Sequence, residues 1–152
     1  MARLDRTFSE RIVQSLEGLD AGTAPRWGKM NVPQLLGHLT LTVLYSTGAG
    51  PEIPYKGNWT TRNVFRFLVL YGVVPIPKGV RVPRPKGMKE QPEPPEATLD
   101  DLRTALDTWN ARYEQGDLPR QLHPFFGELT PNEWARFHAA HFKHHLTQFG
   151  VW

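Results

Sequence analysis

Apolar residues recur every three or four positions in four separate stretches, a spacing that predicts four amphipathic helices. Leu4, Phe8, Ile12, Leu16 and Leu19 form one stripe, so the first helix is expected over about 4–18. The second is expected from Asn31 to about Thr47. Asn31 caps it, Pro33 fits its first turn, and Gln34 stands where a capping box needs it. Its apolar face is Leu35, Leu36, Leu39, Val43 and Leu44. A shorter amphipathic segment, TTRNVFRFLVLY, covers 60–71. Thr98 opens a third long helix with the capping sequence TLDD, and its stripe is Leu99, Leu102, Leu106, Trp109 and Tyr113 up to Gly116. The last helix has the clearest start, with Thr130 as cap, Pro131 in the first turn and Glu133 closing the box. It should run to Phe149 and stop at Gly150.

Between the second and third long helices the periodicity fails. Residues 75–95 hold seven of the fourteen prolines, which no helix or central strand survives. The stretch reads as an extended, partly polyproline crossover over about 73–97. The expected class is therefore all-α: an up-down-down-up four-helix bundle with an extra short helix and a long Pro-rich crossover. A chain of 152 residues, 39% hydrophobic and 22% charged, suits a single domain over 1–152.

Composition narrows the chemistry. There is no cysteine, which removes disulfides, thiolate metal sites and a cysteine nucleophile. A net charge of +3 is small for a nucleic-acid binder. The N-terminus has charges every few residues and no apolar core of a signal peptide, and the longest greasy stretch, 67–74, is too short to span a membrane. A soluble cytoplasmic protein is the expectation.

Histidine carries the remaining signal. Five of six histidines (His123, His138, His141, His144, His145) lie in the last thirty residues, and His38 lies on the second helix. At about 100° per residue, Trp134, His138, His141, His145 and Gln148 share one stripe of the last helix, on the side expected to face the core. Each buried imidazole needs partners for its nitrogens or costs about 1–3 kcal/mol. A divalent metal supplies such a partner, and His141 and His145 have the i, i+4 spacing that lets two imidazoles reach one ion. Phe142 follows His141 where a metalloprotease would have glutamate, so that reading is rejected. His38 is the one histidine on another helix and the candidate third ligand. Zinc or nickel suits three nitrogens with open positions. His144 reads as a rim residue, His138 as a spare ligand or a core histidine, and His123 before Pro124 as a structural residue bonding backbone. Glu128 and Glu133 are too far along the chain to be assigned as a general base.

Three segments, WGKMNVPQLLGHL, HPFFGELTPNEW and HFKHHLTQFG, resemble the DinB/YfiT-like superfamily of metal-dependent enzymes, the second being similar to a branch of unknown function within it. The resemblance implies a divalent ion on His38, His141 and His145, and a four-helix bundle around it. It also implies transfer chemistry in which the metal lowers the pKa of a low-molecular-weight thiol cosubstrate, so that a cysteine-free protein borrows its sulfur. Metal-activated water, giving a hydrolase, stays open, as do a non-catalytic metal or ligand-binding protein and a metal-free helical interaction module. A small-molecule substrate is expected, with no nucleic acid and no membrane. The superfamily's habit of pairing leaves a homodimer open. The basic residues of the crossover, Lys78, Arg81, Arg84, Lys86 and Lys89, read either as a solvated loop or as an attractor for an anionic cosubstrate.

Overall fold

The computed structural model describes all 152 residues and is mostly helical. Helix α1 spans Arg6–Glu17, α2 Val32–Ser46, α3 Arg66–Leu70, α4 Leu99–Gln115 and α5 Pro131–Gln148, with a π-helical turn, Thr61–Phe65, leading into α3. Strands β1 (Gln121–His123) and β2 (Gly127–Leu129) form an antiparallel hairpin.

Capping chemistry sets the helix starts. Asn31 with Gln34, Thr98 with Asp101 and Thr130 with Glu133 each form a complete capping box, satisfying N–H groups that a helix start leaves unpaired. Gly116 closes α4 at φ 70°, a left-handed position that suits a residue without Cβ. Helix α1 begins two residues later than its apolar stripe suggests. Asp5 caps it, accepting a bond from the Phe8 N–H at 2.9 Å, and Leu4 stays outside the helix yet fully buried, its N–H bonded to the Ala135 carbonyl.

Contacts between helices fix their directions. Arg6 meets Glu114, Ser9 meets Asn110 and Glu17 meets Arg103, so α1 and α4 run antiparallel. Ala97 bonds the Pro33 carbonyl and Trp109 bonds Ser46, so α4 runs the same way as α2. The crossover makes that parallel run possible. Residues 71–98 form no helix or strand, as the prolines require, and the end of the crossover is seated on α2. At Gly37 a Cβ would lie 1.6 Å from the Pro95 carbonyl oxygen, so the seat exists only because that residue has no side chain.

The interior has two parts. The larger is built from α1, α2, α4 and one face of α5, with Ile12, Leu35, Leu39, Leu102, Trp109 and Phe142 almost wholly buried. Each such side chain stabilises the fold by about 1.5–3 kcal/mol relative to exposure. The smaller holds Val69, Leu70, Phe126, Leu129, Trp134 and Phe137, where α3 and the hairpin meet α5. Sequence periodicity did not reveal the hairpin, because three-residue strands are too short to show an alternation. Its cue is the three-residue connection opened by Pro124 and followed directly by Gly127 at φ 78°, in the left-handed region.

Candidate metal centre

Helix α5 is buried on two sides, and its histidines occupy only one of them. Ala135, Ala139, Phe142, Leu146 and Phe149 join the larger core. With His141 at zero, that face is centred at about +120° and the histidine stripe at about +20°. The expectation that the stripe faces the core is thereby refined. Trp134, His138, His141, His145 and Gln148 are all buried, but the apolar seam lies next to them.

Helix α2 antiparallel to α5 brings His38 to the stripe. His38 Nε2 lies 3.0 Å from His141 Nε2, and His145 Nε2 lies 3.1 Å from the same atom. One nitrogen from each of the three can be chosen so that all lie within 4.8 Å of one another. His141 and His145 are buried and His38 is partly exposed. Nitrogens held at about 2.0–2.1 Å from one ion, subtending about 90–109°, sit about 2.8–3.4 Å apart. The two short separations fall in that interval.

Electrostatics keeps these rings neutral and their lone pairs available. Burial, with some help from the charge of His144, pulls His38 down to about 4. Burial and then His38 pull His145 down to about 3. His141 is driven well below the ordinary histidine range by burial, then by His145 and His38. The charges acting on all three are those of histidines, and none is a carboxylate.

Proton counting then tests whether the trio fits a metal. A neutral His141 has one N–H. Placed on Nε2, it can donate to only one of the two nitrogens facing it; placed on Nδ1, it is buried with no acceptor, because Nδ1 has no partner. Either tautomer leaves a group unmet, at about 1–3 kcal/mol. A cation shared by three Nε2 lone pairs removes the conflict among those atoms and leaves the His141 Nδ1–H as the group still without an acceptor, so the three Nε2 atoms fit a divalent ion.

The other histidines are spent differently. His138 Nε2 is 2.7 Å from Ser46 Oγ, which also accepts the Trp109 indole N–H at 3.0 Å. It is a satisfied core residue on that side and is not among the three converging rings. His123 Nδ1 accepts from the backbone N–H of Phe125 and of Phe126, closing the hairpin, and its ring stacks on Phe126 at 4.4 Å. This is the backbone-bonding role read from its place before Pro124. His144 is half-buried at the rim, where the Ile76 backbone partly offsets the lowering that burial imposes on its pKa, and its ring is edge-on to Trp27 at 5.7 Å. Lys78 Nζ lies over the same Trp27 ring at 4.2 Å. Of the other basic crossover residues, Lys86 pairs with Glu52 and Arg84 bonds the Lys89 carbonyl. Glu133 holds both its capping box and Arg66 at 2.5 Å, and Glu128 faces Arg120. Neither is a base for the trio. The Arg66–Glu133 lock, which ties α3 to α5, had no local sequence signal because its partners are 67 residues apart.

With this geometry in place, the comparison with known families decides the affiliation. Residues 2–150 match the family described as Protein of unknown function (DUF1569). The chain belongs to this family. No curated protein and no solved structure matches it. In this DUF1569 chain no helix is long and apolar enough to cross a membrane.

Proposed function

We propose that the chain is a divalent-metal-dependent transferase of the DinB/YfiT type, an up-down-down-up four-helix bundle that holds zinc or nickel on His38, His141 and His145. The helix directions support the bundle. The observation that carries the metal reading is the convergence of three neutral Nε2 atoms, two pairs of them 3.0 and 3.1 Å apart, with no carboxylate among the charges acting on them.

That donor set also points to the reactant. Three neutral imidazoles leave the charge of a divalent ion uncompensated in a poorly solvated place, so an anionic further ligand is favoured. When bound, the ion supplies a lowered pKa to a coordinated thiol, making it a nucleophile near neutral pH. The chain's own residues then orient and shield: Phe137 stacks on the His141 ring at 5.2 Å, and Trp27 with His144 walls the His145 side. A low-molecular-weight thiol is the cosubstrate that fits a protein without cysteine, and the cytoplasm, where thiols stay reduced, is the fitting compartment.

Untagged protein prepared with metal in excess should retain near one equivalent of zinc or nickel. It should then accelerate transfer of a small thiol to an aryl halide, followed by absorbance. A stoichiometry near zero overturns the metal reading. One equivalent of metal with ester hydrolysis but no thiol transfer replaces the transferase with a hydrolase.

A further inference from the structure

Gln148 ends the histidine stripe and is almost fully buried, at 5% exposure. Its amide is held at both ends: Oε1 lies 2.7 Å from His145 Nδ1, and Nε2 donates to the Trp27 carbonyl at 2.8 Å. The second bond fixes the sense of the first. A backbone carbonyl only accepts, so the amide end facing Trp27 must be the NH₂ group. The end facing His145 is then the oxygen, which also only accepts. His145 Nδ1 must therefore be the nitrogen that carries the proton.

We infer that Gln148 is a positioning residue: anchored on the Trp27 carbonyl, it sets the His145 proton on Nδ1 and leaves Nε2 as a lone pair aimed at the three-histidine centre. The consequence for metal binding rests on the centre proposed above; the tautomer does not. A ligand histidine whose other nitrogen is held by a fixed acceptor binds without a change of tautomer and without a search over ring orientations.

The loop carrying Trp27 is shaped to receive the amide. Gly28 has φ 80°, and a Cβ there would lie 2.8 Å from Gln148 Nε2. The Arg26 N–H bonds the Gln148 backbone carbonyl at 2.7 Å, so the same loop grips both the main chain and the side chain of this residue. The W-G pair of the α1–α2 connection and the glutamine three residues after His145 are thus parts of one device.

Two measurements test it. In metal-free wild-type protein, long-range ¹H–¹⁵N correlation of the imidazoles should show His145 as the Nδ1–H tautomer, its signals assigned by their absence from His145→Ala. An Nε2–H tautomer overturns the inference. In zinc titrations against a chromophoric chelator, Gln148→Met should bind about 10–100-fold more weakly than wild type. Gln148→Glu keeps an acceptor for His145 but sets its other oxygen against the Trp27 carbonyl, so it should bind zinc more tightly than Gln148→Met and more weakly than wild type. A Gln148→Met protein that binds zinc like wild type overturns the inference, as does a Glu variant that fails along with Met while remaining folded. If wild-type protein binds no zinc, the metal centre falls, and the tautomer measurement alone decides the role of Gln148.

Discussion

Two groups of buried histidines in this molecule look alike in composition and behave oppositely. His123 and His138 turn nitrogens onto protein partners, two backbone N–H groups in one case and the Ser46 hydroxyl in the other. His38, His141 and His145 turn their Nε2 atoms onto one another. All five are pushed below the ordinary histidine range, and burial is the largest cause in each. A depressed pKa therefore does not distinguish a ligand from a core residue. What distinguishes them is what their nitrogens face. His123 Nδ1 and His138 Nε2 face protein partners, whereas the Nε2 atoms of the trio face one another, an arrangement that could hold a cation.

The strongest way to break this contrast is to exchange the two groups in a metal titration. His38→Ala, His141→Ala and His145→Ala should each weaken zinc binding by about 100-fold or more, since a three-nitrogen site becomes a two-nitrogen one. His123→Phe and His138→Leu should stay near wild type in affinity but lose about 1–3 kcal/mol of stability, because backbone N–H groups or the Ser46–Trp109 pair lose their partner. In denaturant with a chelator present the ranking should reverse, His141→Leu costing less than His138→Leu. Equal metal affinities across the two groups would dissolve the distinction.

Acid sharpens it further. With chelator present, His123 and His138 protonate at about 3 in the folded chain and near 6.5 once unfolded. Between those values the unfolded state binds more protons, so stability rises with pH across the window and is lost as pH falls through it. The ceiling is about 1.4 kcal/mol per pH unit per histidine. Urea midpoints from pH 7 to pH 4 should fall steadily, and His123→Phe should flatten the slope by one histidine's share. An unchanged slope in that variant would mean that the ring titrates normally.

The same contrast explains what the sequence could and could not reveal. Helix starts at Asn31, Thr98 and Thr130 were legible because each capping box is a local pattern of four residues. The crossover was legible because prolines veto alternatives wherever they stand. His141 and His145 were legible as a pair because their geometry lies within one helical turn. The histidine stripe of α5 is buried as expected, but the apolar seam beside it was not legible, since a helix buried on two sides has no single hydrophobic direction to read. His38 was legible as their companion because it is the one histidine on another helix, although 103 residues separate it from His141. The Ser46 partner of His138 had no such signal: it is 92 residues away, and only the packing of α2 on α5 brings the two together.

His144 stands between the two groups and gives the finest test. It neighbours His145 at 4.9 Å between ring centroids, yet it is half-buried and lies by the Ile76 backbone of the crossover. Its ring faces Trp27, whose other contact is the Lys78 ammonium. A histidine set against the proline-rich connection is well placed to pin that connection against α5. His144→Ala should therefore change zinc affinity by less than about threefold and stability by about 1 kcal/mol or less. Its measurable signature should be local: faster amide exchange at Ile76 and Lys78, with α2 and α5 unaffected. If zinc affinity instead collapses as far as it does in His141→Ala, His144 is a fourth ligand. The boundary between histidines that face protein partners and histidines that face one another would then have to be redrawn on its far side.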